Sequence, residues 1–158
     1  MKRIIARLDV KGENVVRGLH LEGLRVVGKP EEMAKFYAEC GADEILFIDT
    51  VASLYGRNNL THIVEKMAEQ VFIPLTAGGG VRNLEDVDRL LRSGADKITV
   101  NSAAVRRPEL VREIANAYGS QCVVGTIEAK RRDSSWTAMI ENARETTDRD
   151  AIEWAQEQ

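Results

Sequence analysis

The sequence lacks the features of secreted, membrane-spanning and metal-binding proteins. No run of apolar residues is long enough for a signal peptide or a bilayer span, so we expect a cytoplasmic protein that does not enter a membrane. Its two histidines, His20 and His62, are isolated and predict surface positions rather than a metal site. Cys40 and Cys122 have apolar neighbours, and we interpret both as buried, reduced thiols.

A strong excess of charge of one sign is also missing. The net charge is −3, with 30% charged and 44% hydrophobic residues. This composition is typical of one globular domain, and it gives no general reason to bind nucleic acid. A phosphate ligand would have to be bound by local geometry.

Short β-branched runs alternate with helical patterns along the chain. The runs predict five strands, at 4–8, 45–48, 72–76, 98–100 and 122–127. Helices are marked by Pro30 and Pro108 at starts, by Asn83 with Asp86 as a capping arrangement, and by Gly94 at an end. A last helix is predicted from Thr147 or Asp148. This alternation predicts a parallel α/β sheet.

An internal repeat refines the fold class. The sequence GADEI at 41–45 recurs as GADKI at 94–98, each directly before a predicted strand. The repeat favours a (β/α)8 TIM-barrel type over an open nucleotide-binding sheet, and the triple glycine lacks the G-x-G-x-x-G spacing. Such a barrel needs about 250 residues.

The chain therefore predicts a single partial barrel domain over residues 1–158, truncated to about five βα units and ending in the fifth helix. Strands one and five would keep unpaired edges, so we expect a fragment or a barrel completed by self-association, with a homodimer as the expected state.

The segment LTAGGGVRNLEDVDRLLRSGADKITVN, residues 75–101, carries the clearest functional signal. Three glycines follow a strand and precede an amphipathic helix. Backbone N–H groups in such a turn can surround an anion, and the helix N-terminus adds positive potential. The segment predicts a phosphate-binding site at the carboxyl ends of parallel strands.

Polar residues or glycines follow all five predicted strands, at the ends where the chemistry of parallel barrels is found. Strand by strand they are Asp9; Asp49; Gly78, Gly79 and Gly80; Asn101 and Ser102; and Glu128 with Lys130. Asp9 and Glu128 would face each other across a ring, as a general acid and a general base. For each acid alone, capping of a neighbouring loop stays open as the alternative.

Two further features have less specific interpretations. The stretch 11–29, with Arg17, is long and predicts a lid, although a plain solvated loop explains it equally well. Trp136 and Trp154 are predicted to pack against the protein interior.

Six segments together resemble the cyclase subunit of imidazole glycerol phosphate synthase, the HisF family. They are KRIIARLDVK, FIDTVAS, TAGGGVRN, GADKITVNSAAV, GSQCVVGTIEAKR and AIEWA. The resemblance runs along essentially the whole chain and covers roughly five of the eight units of that family's barrel.

The resemblance implies a lyase of histidine biosynthesis within an amidotransferase complex. A glutaminase subunit (HisH-like) would dock on the amino-terminal face of the barrel, and ammonia would cross a channel to a phosphorylated small-molecule substrate. No cofactor and no metal are implied. The 158-residue chain by itself is not expected to be active.

The resemblance also implies roles for particular residues. Asp9 and Glu128 match the catalytic carboxylates, although the family normally has aspartate at the second position. The other matches are Gly79, Gly80, Asn101 and Ser102 for phosphate, Arg17, Asp49 and Lys130 for substrate, and Arg3, Glu44 and Lys97 for the ammonia entrance. Without the resemblance, these last three predict only solvated charges.

Two departures from the family keep alternatives open. Arg7 stands where the family has a small cysteine, and on strand alternation it lies beneath Asp9, so we predict an interior ion pair with Glu128. HLEGLRVVG and VASLYGRNNL are more similar to a paralogous branch that amidates surface-polysaccharide amino sugars. A non-catalytic, self-associating barrel fragment is the third interpretation.

Overall fold

The computed structural model describes residues 2–18, 24–52 and 61–158. Its strands are β1 (Ile5–Lys11), β2 (Asn14–Gly18), β3 (Leu24–Gly28), β4 (Glu44–Asp49), β5 (Leu75–Gly78), β6 (Lys97–Val100), β7 (Val123–Gly125), β8 (Glu128–Arg132), β9 (Ser135–Ile140) and β10 (Glu145–Asp150). Its helices are α1 (Pro30–Glu39), α2 (Thr61–Ala68), α3 (Leu84–Arg92), α4 (Ser102–Arg106), α5 (Glu109–Tyr118) and α6 (Ala151–Glu157), with a 3-10 turn at Ser120–Cys122.

The central sheet is mostly parallel, as the alternation of strands and helices predicts. Its order is β3-β2-β1-β4-β5-β6-β7, and the four pairs β1-β4, β4-β5, β5-β6 and β6-β7 are parallel. Asp9 is in register with Ile48, Ile48 with Gly78, and Gly78 with Thr99. The carboxyl ends of these strands therefore lie at one edge of the sheet. The architecture is consistent with a TIM-barrel-like α/β fold.

One face of the parallel strands forms the core with the helices. Leu8, Ile45, Phe47 and Ile98 are almost fully buried, because alternate residues of a strand point to the same side. Side chains from the helices complete the cluster, among them Val64, Met67, Val87, Leu90, Leu110, Ile114 and Trp154. The other face of β1, with Ile5, Arg7 and Asp9, is less buried.

The repeated GAD sequence builds the same local structure twice. Asp43 N donates to Ile4 O, and Ile4 N donates to the Asp43 carboxylate at 2.6 Å. Asp96 and Leu75 exchange the corresponding pair of bonds, with 2.7 Å from Leu75 N to Asp96 Oδ2. In both units the aspartate thus ties its own strand to the start of the neighbouring parallel strand.

The predicted helix signals hold at three helices. Pro30 lies in the first turn of α1, and Asn83 Oδ1 accepts from Asp86 N at 2.9 Å at the start of α3. Gly94 follows α3 with a φ of 103°, a left-handed conformation that glycine adopts easily. Pro108 directly precedes α5.

The segment after β7 differs from the prediction. Residues 128–150 form a three-stranded antiparallel sheet in the order β10-β9-β8, which the sequence did not reveal. The helix predicted from Thr147 or Asp148 is wrong at its start, because β10 continues to Asp150. There the Asp150 carboxylate accepts from Ile152 N and Glu153 N and begins α6.

The prediction that strands one and five keep unpaired edges is also corrected in part. The stretch 11–29 contains the hairpin strands β2 and β3, and β2 pairs with β1 at Val10 and Lys11. The first strand is therefore not left wholly unpaired, whereas β7 is the last strand in the sheet order. Truncation to five units and self-association remain predictions.

Several single-residue predictions have mixed outcomes. Cys122 is buried, and burial raises the pKa of its thiol, but Cys40 is exposed and the prediction of a buried thiol there was wrong. Trp154 packs with 2% exposure, whereas Trp136 is 42% exposed, so its predicted packing was also wrong. His62 is exposed on α2, as predicted.

His20 falls outside the described residues. Within the described part of the chain, no helix has the length and apolarity that a bilayer span requires.

Candidate functional site

A cavity of about 350 Å³ opens at the carboxyl ends of β4, β5 and β6. Among its lining residues are six that the sequence singled out: Asp49, Gly79, Gly80, Asn101, Ser102 and Glu128. Five of them lie at or directly after the ends of β4, β5 and β6 and meet because those ends share one edge of the sheet. Glu128 is the first residue of β8, three residues after the end of β7.

The glycine turn after β5 allows the backbone to approach β4 closely. Gly79 and Gly80 have φ values of 99° and 73°. A Cβ atom at Gly79 would lie 2.8 Å from Asp49 N, and one at Gly80 would lie 2.7 Å from the Ala52 Cβ. No side chain fits at either position, so the wall of the cavity is bare backbone here.

Side-chain oxygens of the chain itself already accept hydrogen bonds from backbone N–H groups at the start of α3. Besides the Asn83 cap, Asp86 Oδ2 accepts from Arg82 N at 2.9 Å, and Asp86 is also paired with Arg89. Asp86 is 1% exposed. Its negative charge offsets the positive potential of this helix end, so the glycine turn is the better candidate for anion contact.

Asp49 has a structural role of its own. Its Oδ1 accepts from Val51 N at 2.9 Å and from Ala52 N at 3.1 Å, which fixes the turn after β4. Burial raises the pKa of this carboxyl, and the two backbone hydrogen bonds only partly oppose that rise. Asp49 therefore caps a loop and lines the cavity at once.

Asn101, Ser102 and Glu128 are linked to one another through the antiparallel sheet. Asn101 Nδ2 donates to Glu128 Oε2 at 3.2 Å, and Ala143 N donates to the same oxygen at 2.8 Å. Ser102 Oγ accepts from Glu141 N at 3.0 Å. The turn at 141–144 thus contacts both the residues at α4 and the Glu128 carboxylate.

Asp9 does not line the cavity, but it is hydrogen-bonded to Arg7, which does. Arg7 Nε donates to Asp9 Oδ1 at 2.8 Å, and Arg7 lines the cavity. The predicted ion pair between Arg7 and Glu128 was therefore wrong: the guanidinium bonds to the next residue on its own face of β1. Glu128 instead accepts from Asn101 and Ala143.

The three charges predicted at the ammonia entrance form one cluster at the amino-terminal ends of the strands. Glu44 Oε2 lies 2.8 Å from Lys97 Nζ and 3.4 Å from Arg3 Nη1, and Thr76 Oγ1 donates to Glu44 Oε1 at 2.6 Å. Glu44 is 4% exposed, so solvated charges do not describe it. Burial alone would raise the Glu44 pKa, but the bonds from Lys97 and Thr76 and both cations hold that pKa below its ordinary value.

Two predicted residues lie elsewhere. Arg17 is exposed on β2, opposite Arg25 of β3, and Lys130 is exposed on β8, opposite Thr137. Neither lines the cavity.

Sequence reasoning missed three arginines of the cavity wall, Arg82, Arg106 and Arg107. Arg106 follows Ser102 by four residues, so both lie on one face of α4, and this spacing was the available signal. Arg106 Nη2 lies 2.6 Å from Glu141 Oε1, and Arg107 pairs with Glu113 at 3.0 Å. Within 2–18, 24–52 and 61–158, no group of three or more His, Cys, Asp or Glu residues could hold a metal ion.

A parallel α/β sheet with a glycine turn and polar residues at its carboxyl ends is consistent with the TIM-barrel-like class, and the cavity lies at the strand ends where such proteins bind substrates. Residues 3–158 match the family described as "Histidine biosynthesis protein". The chain belongs to this family, and within it to the HisF group.

The similar relatives are each named imidazole glycerol phosphate synthase subunit HisF. That of Legionella pneumophila is 56% identical over 154 residues, 97% of this chain and 73% of the relative. That of Myxococcus xanthus is 49% identical, and that of Bacillus cereus is 50% identical, over 99% and 98% of this chain. The chain spans 62% of the length of each of these last two.

Proposed function

We propose that this protein belongs to an imidazole glycerol phosphate synthase and supplies its cyclase site, which joins ammonia to a phosphorylated ribonucleotide. One observation carries the proposal: the glycine turn, Asn101, Ser102 and Glu128 line a single cavity at the carboxyl ends of the strands. The names of the relatives support the choice of reaction.

The phosphoryl group of the substrate is bound by the backbone amides at Gly79 and Gly80 together with Asn101 and Ser102. Left-handed glycines turn successive N–H groups toward one point, and the Ser102 hydroxyl adds a further donor. Arg106 supplies positive charge to the same wall, because it lines the cavity and is 55% exposed.

Asp9 and Glu128 act as the general acid–base pair. Glu128 is fixed by two donors on one oxygen, which leaves the other oxygen for proton transfer. Asp9 lies on β1 and is oriented by Arg7. Glu128 is one methylene longer than aspartate, and at this length its Oε2 accepts from Ala143 N at 2.8 Å.

Ammonia enters at the opposite ends of the same strands, beside the cluster of Glu44, Lys97 and Arg3. A glutaminase partner docks on this face. Apolar side chains at the strand starts offer contact area for it, since Phe72 is 93% exposed and Ile4 is 68% exposed.

The proposal is tested by rescue of a histidine auxotroph with the gene that carries this sequence. Rescue by the wild type is expected, together with a loss of at least about 100-fold in ammonia-dependent turnover for Asp9→Asn and for Glu128→Gln. Asp148→Asn and Glu145→Gln make the same chemical changes at exposed positions of β10 and should keep full activity.

Two results would contradict the proposal. Turnover that is equal in Glu128→Gln and Glu145→Gln would remove Glu128 from the chemistry. Failure to rescue, combined with loss of an amidated surface sugar when the gene is deleted, would replace the histidine-pathway acceptor with an amino sugar.

A further inference from the structure

The turn between β9 and β10 has an unusual backbone. Glu141, Asn142 and Ala143 are consecutive non-glycine residues with φ values of 54°, 56° and 58°. L-residues adopt this left-handed region singly, because it brings Cβ close to the following carbonyl oxygen. A run of three persists only where surrounding contacts determine the conformation. The cause therefore lies in what the turn touches.

Two contacts to α4 hold the first residue of the turn. Glu141 N donates to Ser102 Oγ at 3.0 Å, and Glu141 Oε1 lies 2.6 Å from Arg106 Nη2. The Glu141 side chain is only 5% exposed, and its Oε2 is buried without a hydrogen-bond partner among the described residues. A buried carboxylate with a single cationic partner depends strongly on that partner. The ion pair therefore fastens the turn to the face of α4 that carries Ser102 and Arg106.

The other end of the turn reaches the carboxylate of Glu128. Ala143 N donates to Glu128 Oε2 at 2.8 Å, beside the bond from Asn101 Nδ2. Asn142, between the two anchored residues, lines the cavity. One short turn thus connects Ser102 to Glu128, and both residues line the cavity.

We infer that Glu141 is a positioning residue, which holds the 141–144 turn through Arg106 so that the Ala143 amide orients Glu128. The inference rests on the proposed function, in which Ser102 contacts a phosphoryl group and Glu128 is an acid–base carboxylate. An anion at Ser102 also meets Arg106 and competes with Glu141 for its guanidinium. Occupancy of the phosphate site is in this way transmitted through the turn to Glu128.

The test is an NMR titration of the whole chain with inorganic phosphate. Backbone amides of Gly80 and Ser102 report binding, and the side-chain carboxyl carbon of Glu128 reports the transmitted change. Glu141→Gln removes the charge that pairs with Arg106. The matched control is Glu145→Gln, since the Glu145 carboxylate lies 3.9 Å from the same guanidinium but is 59% exposed.

In the wild type and in Glu145→Gln, phosphate should shift both sets of signals. In Glu141→Gln the response of Glu128 should be largely lost, because the ion pair that links Arg106 to the turn is removed. An undiminished Glu128 response in Glu141→Gln, with phosphate still bound, would overturn the inference and leave the proposed function intact.

If phosphate shifts neither Gly80 nor Ser102 in the wild type, the phosphate site of the proposed function is wrong. Hydrogen exchange at the Ala143 amide then tests separately whether Glu141 holds the turn. Faster exchange in Glu141→Gln than in Glu145→Gln supports the inference, and equal rates refute it. Should Glu141→Gln fail to fold, both measurements are repeated in an Ala143→Gly background, where the left-handed backbone is easily adopted. Exchange is then followed at the backbone amide of position 143.

Discussion

Arg7 Nε lies 2.8 Å from Asp9 Oδ1, and the two side chains are neighbours on one face of β1. They are 41% and 38% exposed, so water screens the attraction between them. Pairs of this exposure contribute about 0.2–1 kcal/mol to stability. The contact therefore matters for where Asp9 points more than for the stability of the fold.

Arg7→Cys is accordingly expected to lower the free energy of unfolding by less than about 1 kcal/mol. Combined with Glu128→Asp, the effect should be additive, because Arg7 and Glu128 bond to different partners. Urea unfolding of the two single variants and the double variant measures both quantities. A coupling free energy above about 1 kcal/mol between positions 7 and 128 would show that the two side chains interact after all.

The parallel part of the fold could be predicted because its signals are local. Asp43 and Asp96 each sit before a strand in the same five-residue sequence, and each makes the same pair of bonds to the neighbouring strand. The Asn83 cap and the glycine that ends α3 are likewise properties of a few adjacent residues. Strand ends then bring the site together, since parallel strands share an edge.

The antiparallel sheet was missed because its pattern is weak. In β8 no residue is fully buried, and only Ala138, Met139 and Ile140 of β9 are, so apolar and polar residues do not alternate as in a typical strand. Thr147 and Asp148 resemble a helix cap, but the residue that caps α6 is Asp150, of an equally suitable type. The partner of Arg7 could not be predicted, because strand alternation fixes a side chain's face and not its rotamer.

A second prediction concerns Glu44, whose buried carboxylate is bonded by Lys97, Arg3 and Thr76. Glu44→Gln should lower the free energy of unfolding by about 1–3 kcal/mol at pH 7, because charged hydrogen bonds are lost in a buried place. Glu32→Gln, the same change at an exposed position of α1, should have little effect. Equal urea midpoints for the two variants would contradict this reading of the cluster.

The contribution of Glu44 should also depend on pH. Since its pKa in the folded protein lies below the ordinary value, folding favours the ionised form. The stabilisation is complete above the unfolded pKa of about 4.3 and is lost as the pH falls through the lower, folded value. The stability difference between wild type and Glu44→Gln should therefore shrink only in acid.

The third prediction concerns Asp49, whose effect on stability should change with pH in the opposite direction to that of Glu44. Burial raises its pKa in the folded state, so the ionised form is disfavoured by folding, and stability falls as the pH rises from about 3.9 through the folded value. Asp49→Asn keeps an acceptor for Val51 N and Ala52 N without the charge. The free energy of unfolding of Asp49→Asn, measured with urea, should exceed that of the wild type by an amount that grows across this pH window and stays constant above it.

The matched variant Asp49→Ala removes the acceptor as well. It should be less stable than Asp49→Asn by about 1 kcal/mol, the typical contribution of a side-chain cap. If Asn and Ala have the same stability at position 49, the two backbone bonds contribute nothing and the capping role is wrong.

The fourth prediction compares two glycines with the same backbone and different surroundings. Gly41 and Gly79 have φ values of 91° and 99°, but a Cβ atom at Gly41 would have nothing within 4 Å, whereas at Gly79 it would lie 2.8 Å from Asp49 N. Gly41→Ala should therefore lower the free energy of unfolding by about 1–2 kcal/mol, from backbone strain alone. Gly79→Ala adds a clash with backbone that cannot rotate away, so its loss should be larger by about 1–3 kcal/mol.

Urea unfolding of the two alanine variants measures the difference directly. Phosphate titration of each folded variant adds a functional reading, because Gly79 lines the cavity and Gly41 follows α1 at the other end of the sheet. Weaker phosphate binding in Gly79→Ala alone is expected if bare backbone forms the anion site. Equal stability losses in the two variants would mean that the β4 backbone moves to make room for a side chain at position 79. The close approach of the two backbones would then not be the reason for glycine there.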